Sequence, residues 1–231
     1  MNEKFNKLYY KSNNQDKDRL GILFYYNVIK TNFRFSSFLD FGCGVGHLLK
    51  KIEKNKTIKQ IYGYEVNEYA VNEVNKNTKN VKVINSLDDI KEKIDLATLL
   101  HVVEHINDED LIKIFEKIKL KLTTKGRLLI ATPAKNGLAH QYKKDKWIGF
   151  KDSTHINIKT HTQWINFFEK QNFKLIKSSS DGLWDFPYKN LMFSIKFLKI
   201  MLIMVVQIIS GKLFLNYNQG ETFLFILKSN D

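Results

Sequence analysis

Short, mostly apolar runs alternate along the chain with stretches in which apolar residues recur every three or four positions. "SSFLDFG", "KQIYGYEVN", "VKVIN", "IDLATLLH" and "GRLLIATP" are of the first kind and predict strands. "VGHLLKKIEKN", "EYAVNEVNKNT" and "DEDLIKIFEKIKLKL" lie between them and predict amphipathic helices. The last of these opens on Asp108, Glu109 and Asp110, which suits the positive end of a helix, and Pro133 closes the fifth strand. Strands that alternate with helices require right-handed crossovers and a mostly parallel sheet covered on both faces. Ligands of such sheets bind beyond the carboxyl ends of the strands.

Composition narrows this picture. With 231 residues and 43% hydrophobic content, the chain is of the size that buries one core. The single cysteine, Cys43, rules out an intrachain disulfide and fits a reducing, cytoplasmic location. "MNEKFNKLYYKSNNQDKDRL" contains no apolar stretch of the kind a secretory signal needs, so none is expected. The net charge of +13 would suit a phosphate backbone, yet only Arg19, Arg34 and Arg127 are arginine and the lysines are spread without a dense basic run. Nucleic acid is therefore not the expected partner.

The chemistry begins at "FLDFGCGVGHLL", residues 38 to 49, where glycines occupy alternate positions straight after a strand. Gly42, Gly44 and Gly46 allow a tight turn, a close approach of backbone to ligand, and the start of a helix. A dinucleotide fingerprint needs G-x-G-x-x-G, but here the third glycine comes one residue early and His47 stands where that pattern wants glycine or alanine. The lysine–serine pair of a P-loop is absent too. Asp40, just before the loop, suits a ligand with an ammonium group better than one with a pyrophosphate. Glu65, at the end of the second strand, stands where a carboxylate would meet ribose hydroxyls. An aminoacyl tail plus a ribose points to S-adenosylmethionine.

"FLDFGCGVGHLL", "IYGYEVNEYAV", "IDLATLLHVVEHI" and "LTTKGRLLIATPAKNG" together resemble the successive motifs of class I S-adenosylmethionine-dependent methyltransferases, in particular ubiquinone-pathway and surface-glycan O-methyltransferases. The resemblance spans roughly residues 36 to 180. It implies an α/β, Rossmann-like fold: a seven-stranded, mostly parallel sheet with an antiparallel last strand and helices on both faces. "FKLIKSSS" and "ETFLFILKS" would be its sixth and seventh strands. By the same resemblance Asp40, Gly42, Cys43, Gly44 and Gly46 hold the methionine part of the cofactor and Glu65 with Val66 the ribose. Ser86 and Leu87 flank the adenine, and Leu100 and His101 lie near the reactive methyl. The implied reaction is O-methylation of a small-molecule, sugar or surface-polysaccharide acceptor. A metal-dependent RNA 2'-O-methyltransferase and a non-catalytic cofactor-binding subunit stand as alternatives.

A sulfonium is already an activated leaving group, so alignment does most of the work. A hydroxyl acceptor must also lose its proton, which a histidine of near-neutral pKa can take. His155 is the first candidate and His101 the second, while His140 and His161 are expected to be structural. "HVVEH" formally matches an inverted zinc-peptidase motif, but that motif needs a continuous helix, whereas His101 follows directly from a strand. Some relatives bind a divalent ion through E-x-x-E-H plus a later histidine. No metal is expected here; one, if present, would use Glu104, His105 and His155.

Two regions flank the shared core. Residues 1–35, with Tyr9, Tyr10, Tyr25 and Tyr26, are expected to form a helical cap over the cofactor, leaving 36–231 as the methyltransferase domain. Residues 188–217 are expected to be an apolar helical insertion before the last strand. The longest uncharged run there, "IMLIMVVQIISG", has twelve residues and is too short to span a bilayer. The excess apolar surface of 191–215 leaves three uses open: covering the acceptor, pairing two subunits as a homodimer, or peripheral contact with the inner membrane surface.

Overall fold

The computed structural model describes residues 7–12, 17–189 and 191–230. Residues 1–6 and 13–16 of the expected cap, and the side chain of Tyr9, lie outside what is described. Two helices, α1 (Lys7–Ser12) and α2 (Leu20–Asn32), precede the first strand. There follow β1 (Ser37–Phe41), α3 (His47–Ile52), β2 (Gln60–Tyr64), α4 (Glu68–Asn77), β3 (Lys82–Ile84), β4 (Ile94–Leu100), α5 (Asp108–Lys121) and β5 (Leu122–Pro133). The last third holds α6 (Leu138–Lys143), α7 (Ile148–Lys151), α8 (His161–Lys170), β6 (Phe173–Ser180), α9 (Ile195–Ser210) and β7 (Thr222–Ser229).

The strands form one sheet in the order β3-β2-β1-β4-β5-β7-β6. β1 pairs in parallel with β2 and β4, β4 pairs in parallel with β5, and β7 runs antiparallel to both β5 and β6. This is the seven-stranded architecture the sequence predicts. Every residue of β1 is buried, because a central strand with helices on both faces sees no solvent. Its side chains alternate: Leu39 and Phe41 join a core with Phe115, Trp164 and Phe168, while Phe38 joins one with Phe24, Val28 and Leu129 on the opposite face.

Helix starts are chemically marked. Asn67 accepts from Ala70 N ahead of α4, Asn107 from Asp110 N ahead of α5, and Thr160 with Gln163 forms a reciprocal capping box ahead of α8. α3 stops at Ile52, short of the predicted stretch, and Asn55 then turns the chain by accepting from Thr57 N. β5 begins before the predicted run, since Leu122 already pairs with Ile94, and the register resumes at Arg127 with Leu96 beyond an irregularity.

α9 lies between β6 and β7 and packs along α2, where Asn27 Nδ2 donates to Ile208 O (2.6 Å) and Thr31 Oγ1 to Ser210 O (2.8 Å). Its buried Gln207 donates to Ser180 O (3.1 Å) and accepts from the backbone N–H groups of Phe214 (2.6 Å) and Leu215 (2.7 Å). Among the described residues no helix is long and apolar enough to cross a membrane.

Candidate active site

The site lies at the carboxyl ends of β1, β2 and β4. Asp40 faces Thr98 across the β1–β4 pair, and Thr98 Oγ1 donates to Asp40 Oδ1 at 2.6 Å. Burial pushes the Asp40 carboxyl up to about 7, against the pull of the Thr98 hydrogen bond and with the charge of Glu65 adding to the rise. After β1 the chain turns through Gly42, Gly44 and Gly46 at φ of 74°, 52° and 82°. A Cβ on Gly42 would stand 2.6 Å from Val102 Cγ2, and one on Gly46 would stand 2.9 Å from Val74 Cγ2. The bare backbone therefore serves the turn and the protein's own packing.

Gly42 N and Cys43 N donate to Tyr64 O at 2.9 and 3.1 Å, which ties the loop to the end of β2. Glu65 completes the tie: Oε2 accepts from Gly44 N at 3.0 Å, and Oε1 from Val66 N and Asn67 N at 2.8 and 2.9 Å. Tyr10 of α1 packs with Val45 and Ala70 over this loop.

At the end of β4, His101 takes φ 57°, rare for a residue with a side chain. Its Nε2 lies 2.8 Å from the Tyr25 hydroxyl of α2, and its Nδ1 lies 3.4 Å from Oε1 of Glu104, which is wholly buried. The protein around His101 pushes its pKa down, but Glu104 and then the charge of Asp181 outweigh this and hold it above the ordinary value. Burial pushes Glu104 upward, and His101 followed by His105 brings it below the usual carboxylate range. The His101 side chain keeps 45% of its surface exposed, so the pair is anchored inside while the ring remains accessible.

The model of a methyltransferase-domain family matches residues 15–178. The chain belongs to that family. No curated protein matches the sequence. Among solved structures, the plantazolicin methyltransferase BpumL, in complex with a pentazolic desmethylPZN analogue and SAH, aligns over 96% of this chain and 89% of its own at TM-score 0.64 and 14% identity. A putative methyltransferase in complex with the Haloferax volcanii Trm112 activator aligns over 100% and 97% at TM-score 0.67 and 14% identity. The mitomycin 7-O-methyltransferase MmcR aligns over 90% of this chain and 53% of its own at TM-score 0.59 and 12% identity. These likenesses establish the shared fold.

As a methyltransferase of this family, the chain takes S-adenosylmethionine as its donor. The residues present fit that group: Asp40 is a buried carboxylate that no lysine or arginine among the described residues pairs with, so a ligand ammonium would meet an unmatched partner. Val66 is 41% exposed beside Glu65. Leu87 turns its side chain into the core with Ile84 and Ile90, and Ser86 beside it is half-buried. Leu100 is half-buried against the core on the other face from Leu99. Burial, followed by the charges of Asp40 and Glu65, raises the Cys43 thiol, which favours the neutral form over the thiolate.

His155 is brought to Glu104 and His105. The backbone N–H groups of Ile156 and Asn157 donate to Glu104 O at 3.0 and 2.9 Å and pin its loop there. Potential ligand atoms of Glu104, His105 and His155 lie within 4.8 Å of one another. Each imidazole is oriented through Nδ1, that of His105 by Thr154 Oγ1 (2.9 Å) and that of His155 by Gly149 O (2.8 Å). Burial, with the charge of His155, pushes the His105 pKa down against the pull of Glu104, which favours the neutral, ligating form. His140 and His161 sit elsewhere: His140 Nδ1 accepts from Asn136 N at 2.9 Å and packs on Trp147, and His161 stacks on Tyr217.

Tyr25, expected from the sequence only as part of the cap, reaches His101, while Asp181 and Glu221, for which the sequence gives no signal, lie beside this arrangement. Asp181, at the end of β6, accepts from Thr222 N at 3.1 Å, and burial pushes it up to about 7. Glu221 accepts from Trp184 N and Asp185 N at 2.7 and 2.6 Å and from the Tyr188 hydroxyl. Both carboxylates gain their setting only when β6 and β7 pair.

Proposed function

We propose that the protein methylates a hydroxyl oxygen of a small or sugar-borne acceptor, with His101 as the general base. The observation that carries this reading is the Tyr25–His101–Glu104 arrangement. Nδ1 faces a buried carboxylate and Nε2 faces a hydroxyl, which defines Nε2 as the nitrogen able to take a proton. Tyr25 Oη marks the hydrogen-bonding position in which an acceptor hydroxyl would stand.

S-adenosylmethionine supplies a methyl group on sulfonium and leaves as S-adenosylhomocysteine. Asp40 would hold the ammonium, and Glu65 would hold the ribose while fixing the glycine loop through Gly44 N. Transfer of the methyl group to the acceptor oxygen would leave the electron pair of the C–S bond on sulfur, and His101 Nε2 would take the hydroxyl proton. Glu104 would stabilise the imidazolium so formed, as a buried carboxylate does in acid–base dyads. This reading puts His101 ahead of His155, because the Asp152 carboxylate lies 3.8 Å from His155 Nε2 and is partly exposed, whereas wholly buried Glu104 lies 3.4 Å from His101 Nδ1.

The test is transfer of a labelled methyl group into separated RNA, lipid, polysaccharide and small-metabolite fractions, with and without EDTA. Label in sugar or small-molecule fractions that is insensitive to EDTA, and lost in His101→Asn with S-adenosylhomocysteine binding retained, is the expected result. Label confined to RNA and abolished by EDTA would overturn it. The Glu104, His105 and His155 cluster supports that second reading, in which a divalent cation on these groups would activate a ribose hydroxyl.

A further inference from the structure

We propose that the outward face of α9 docks on an anionic membrane surface. A helix that is apolar all round is normally buried all round. In α9 only one flank is: Ile200, Met204 and Gln207 face the protein. On the opposite side Ile195, Leu198, Leu202, Val205 and Ile209, spaced alternately three and four residues apart, are between 50% and 75% exposed. Phe193, two residues before the helix, is 97% exposed. The result is a continuous apolar strip rather than scattered surface residues.

The charge around the strip selects its occupant. Residues 186–220 contain Lys189, Lys196, Lys199 and Lys212 and not one aspartate or glutamate. All four lysines are exposed, two of them one turn apart on the helix and the others beyond its two ends. A second copy of the chain, related by a two-fold axis, would lay this strip against itself with no carboxylate on the strip to answer the lysines. Anionic lipids offer acyl chains for the strip and phosphates for its lysines, and a net charge of +13 favours the approach. At 16 residues α9 is too short to span and would lie in the interface plane.

The inner flank sets the docking face close to the carboxyl end of the sheet. Gln207 holds Ser180, the last residue of β6, and a Cβ on Gly182 would meet Met204 at 2.7 Å. One helix diameter, about 10 Å, therefore separates the docking face from the carboxyl end of the sheet.

The experiment is flotation of the full chain with vesicles of phosphatidylcholine alone or mixed with phosphatidylglycerol, at low and high salt. The comparison proteins are a Leu198→Gln/Leu202→Gln double variant and a Lys196→Gln/Lys199→Gln double variant. Urea midpoints and S-adenosylhomocysteine binding equal to the parent establish that each variant is folded. The expected result is partitioning to phosphatidylglycerol vesicles that falls at least tenfold in each double variant. Absence of binding would overturn the proposal, as would binding that the leucine variant retains, which would reflect general charge. A stable dimer by light scattering, broken by the leucine variant, would assign the strip to a second copy and overturn it too.

Discussion

Glu104 sets its fully buried carboxylate 3.4 Å from Nδ1 of His101, a ring that is itself nearly half exposed. A charge that costs much to bury is kept where it can act on one accessible imidazole. Its removal therefore has a definite sign.

In Glu104→Gln the carboxylate that raises His101 is gone and the lowering by the surrounding protein remains, so the His101 pKa falls. The acid limb of the kcat/KM profile moves to lower pH, while the plateau drops about 10²-fold as the imidazolium loses its partner. The parent also carries a pH-dependent stability from this pair. The Glu104 share is present above its ordinary value of 4.5 and lost as pH falls below it; the His101 share is present below 6.5 and lost as pH rises through its raised value. Urea midpoints of the parent, relative to the variant, are greatest between these limits.

Asp40 is raised from 3.8 to about 7 in the free protein, so its contribution to stability is full below 3.8 and disappears as pH rises to about 7. Asp181 has the same direction and range, so Asp40→Asn removes only part of the slope. An ammonium beside Asp40 favours the ionised form. S-adenosylhomocysteine should therefore bind about tenfold tighter at pH 8 than at pH 6. Calorimetry at pH 6.5 in buffers of different ionisation enthalpy should show proton release in the parent that is diminished in Asp40→Asn.

The glycines of the loop are not equivalent. Alanine at Gly42 adds a 2.6 Å approach to Val102 to the strain of φ 74°, whereas at Gly44 the new Cβ meets only Tyr10 at 3.4 Å. Gly42→Ala should cost about 3 kcal/mol and Gly44→Ala about 1 kcal/mol in urea unfolding. Equal losses would contradict this account of the loop.

Gln207→Leu keeps α9 apolar but leaves Ser180 O and the N–H groups of Phe214 and Leu215 without their partner. A loss of about 3 kcal/mol or more is expected, against less than about 0.5 kcal/mol for Val205→Ala on the outward face. Chemical denaturation of the two variants makes the comparison.

Much of the molecule follows from local sequence. Alternating apolar runs and helical periods specify the order of strands and helices, since each period reports a single element's own geometry. The glycine loop, Asp40 and Glu65 are legible because the turn and the two strand ends lie within about thirty residues of one another. The acids that open α5 and the positions of Pro133 and Cys43 are equally local. Which distant groups surround His101 was not legible, although Glu104 lies only three residues from it. Tyr25 and His101 are 76 positions apart, and Asp181 and Thr222 are 41 apart, so their meeting depends on how α2 and the β6–β7 pair close around the end of β4. The run from 191 to 215 shows the same division: its composition determined that it is apolar, and only packing on α2 and β6 decided which flank is buried and which faces outward. Periodicity encodes a face, but the partner of that face is chosen by elements distant in the chain, through burial and hydrogen bonds that exist only once the sheet has formed.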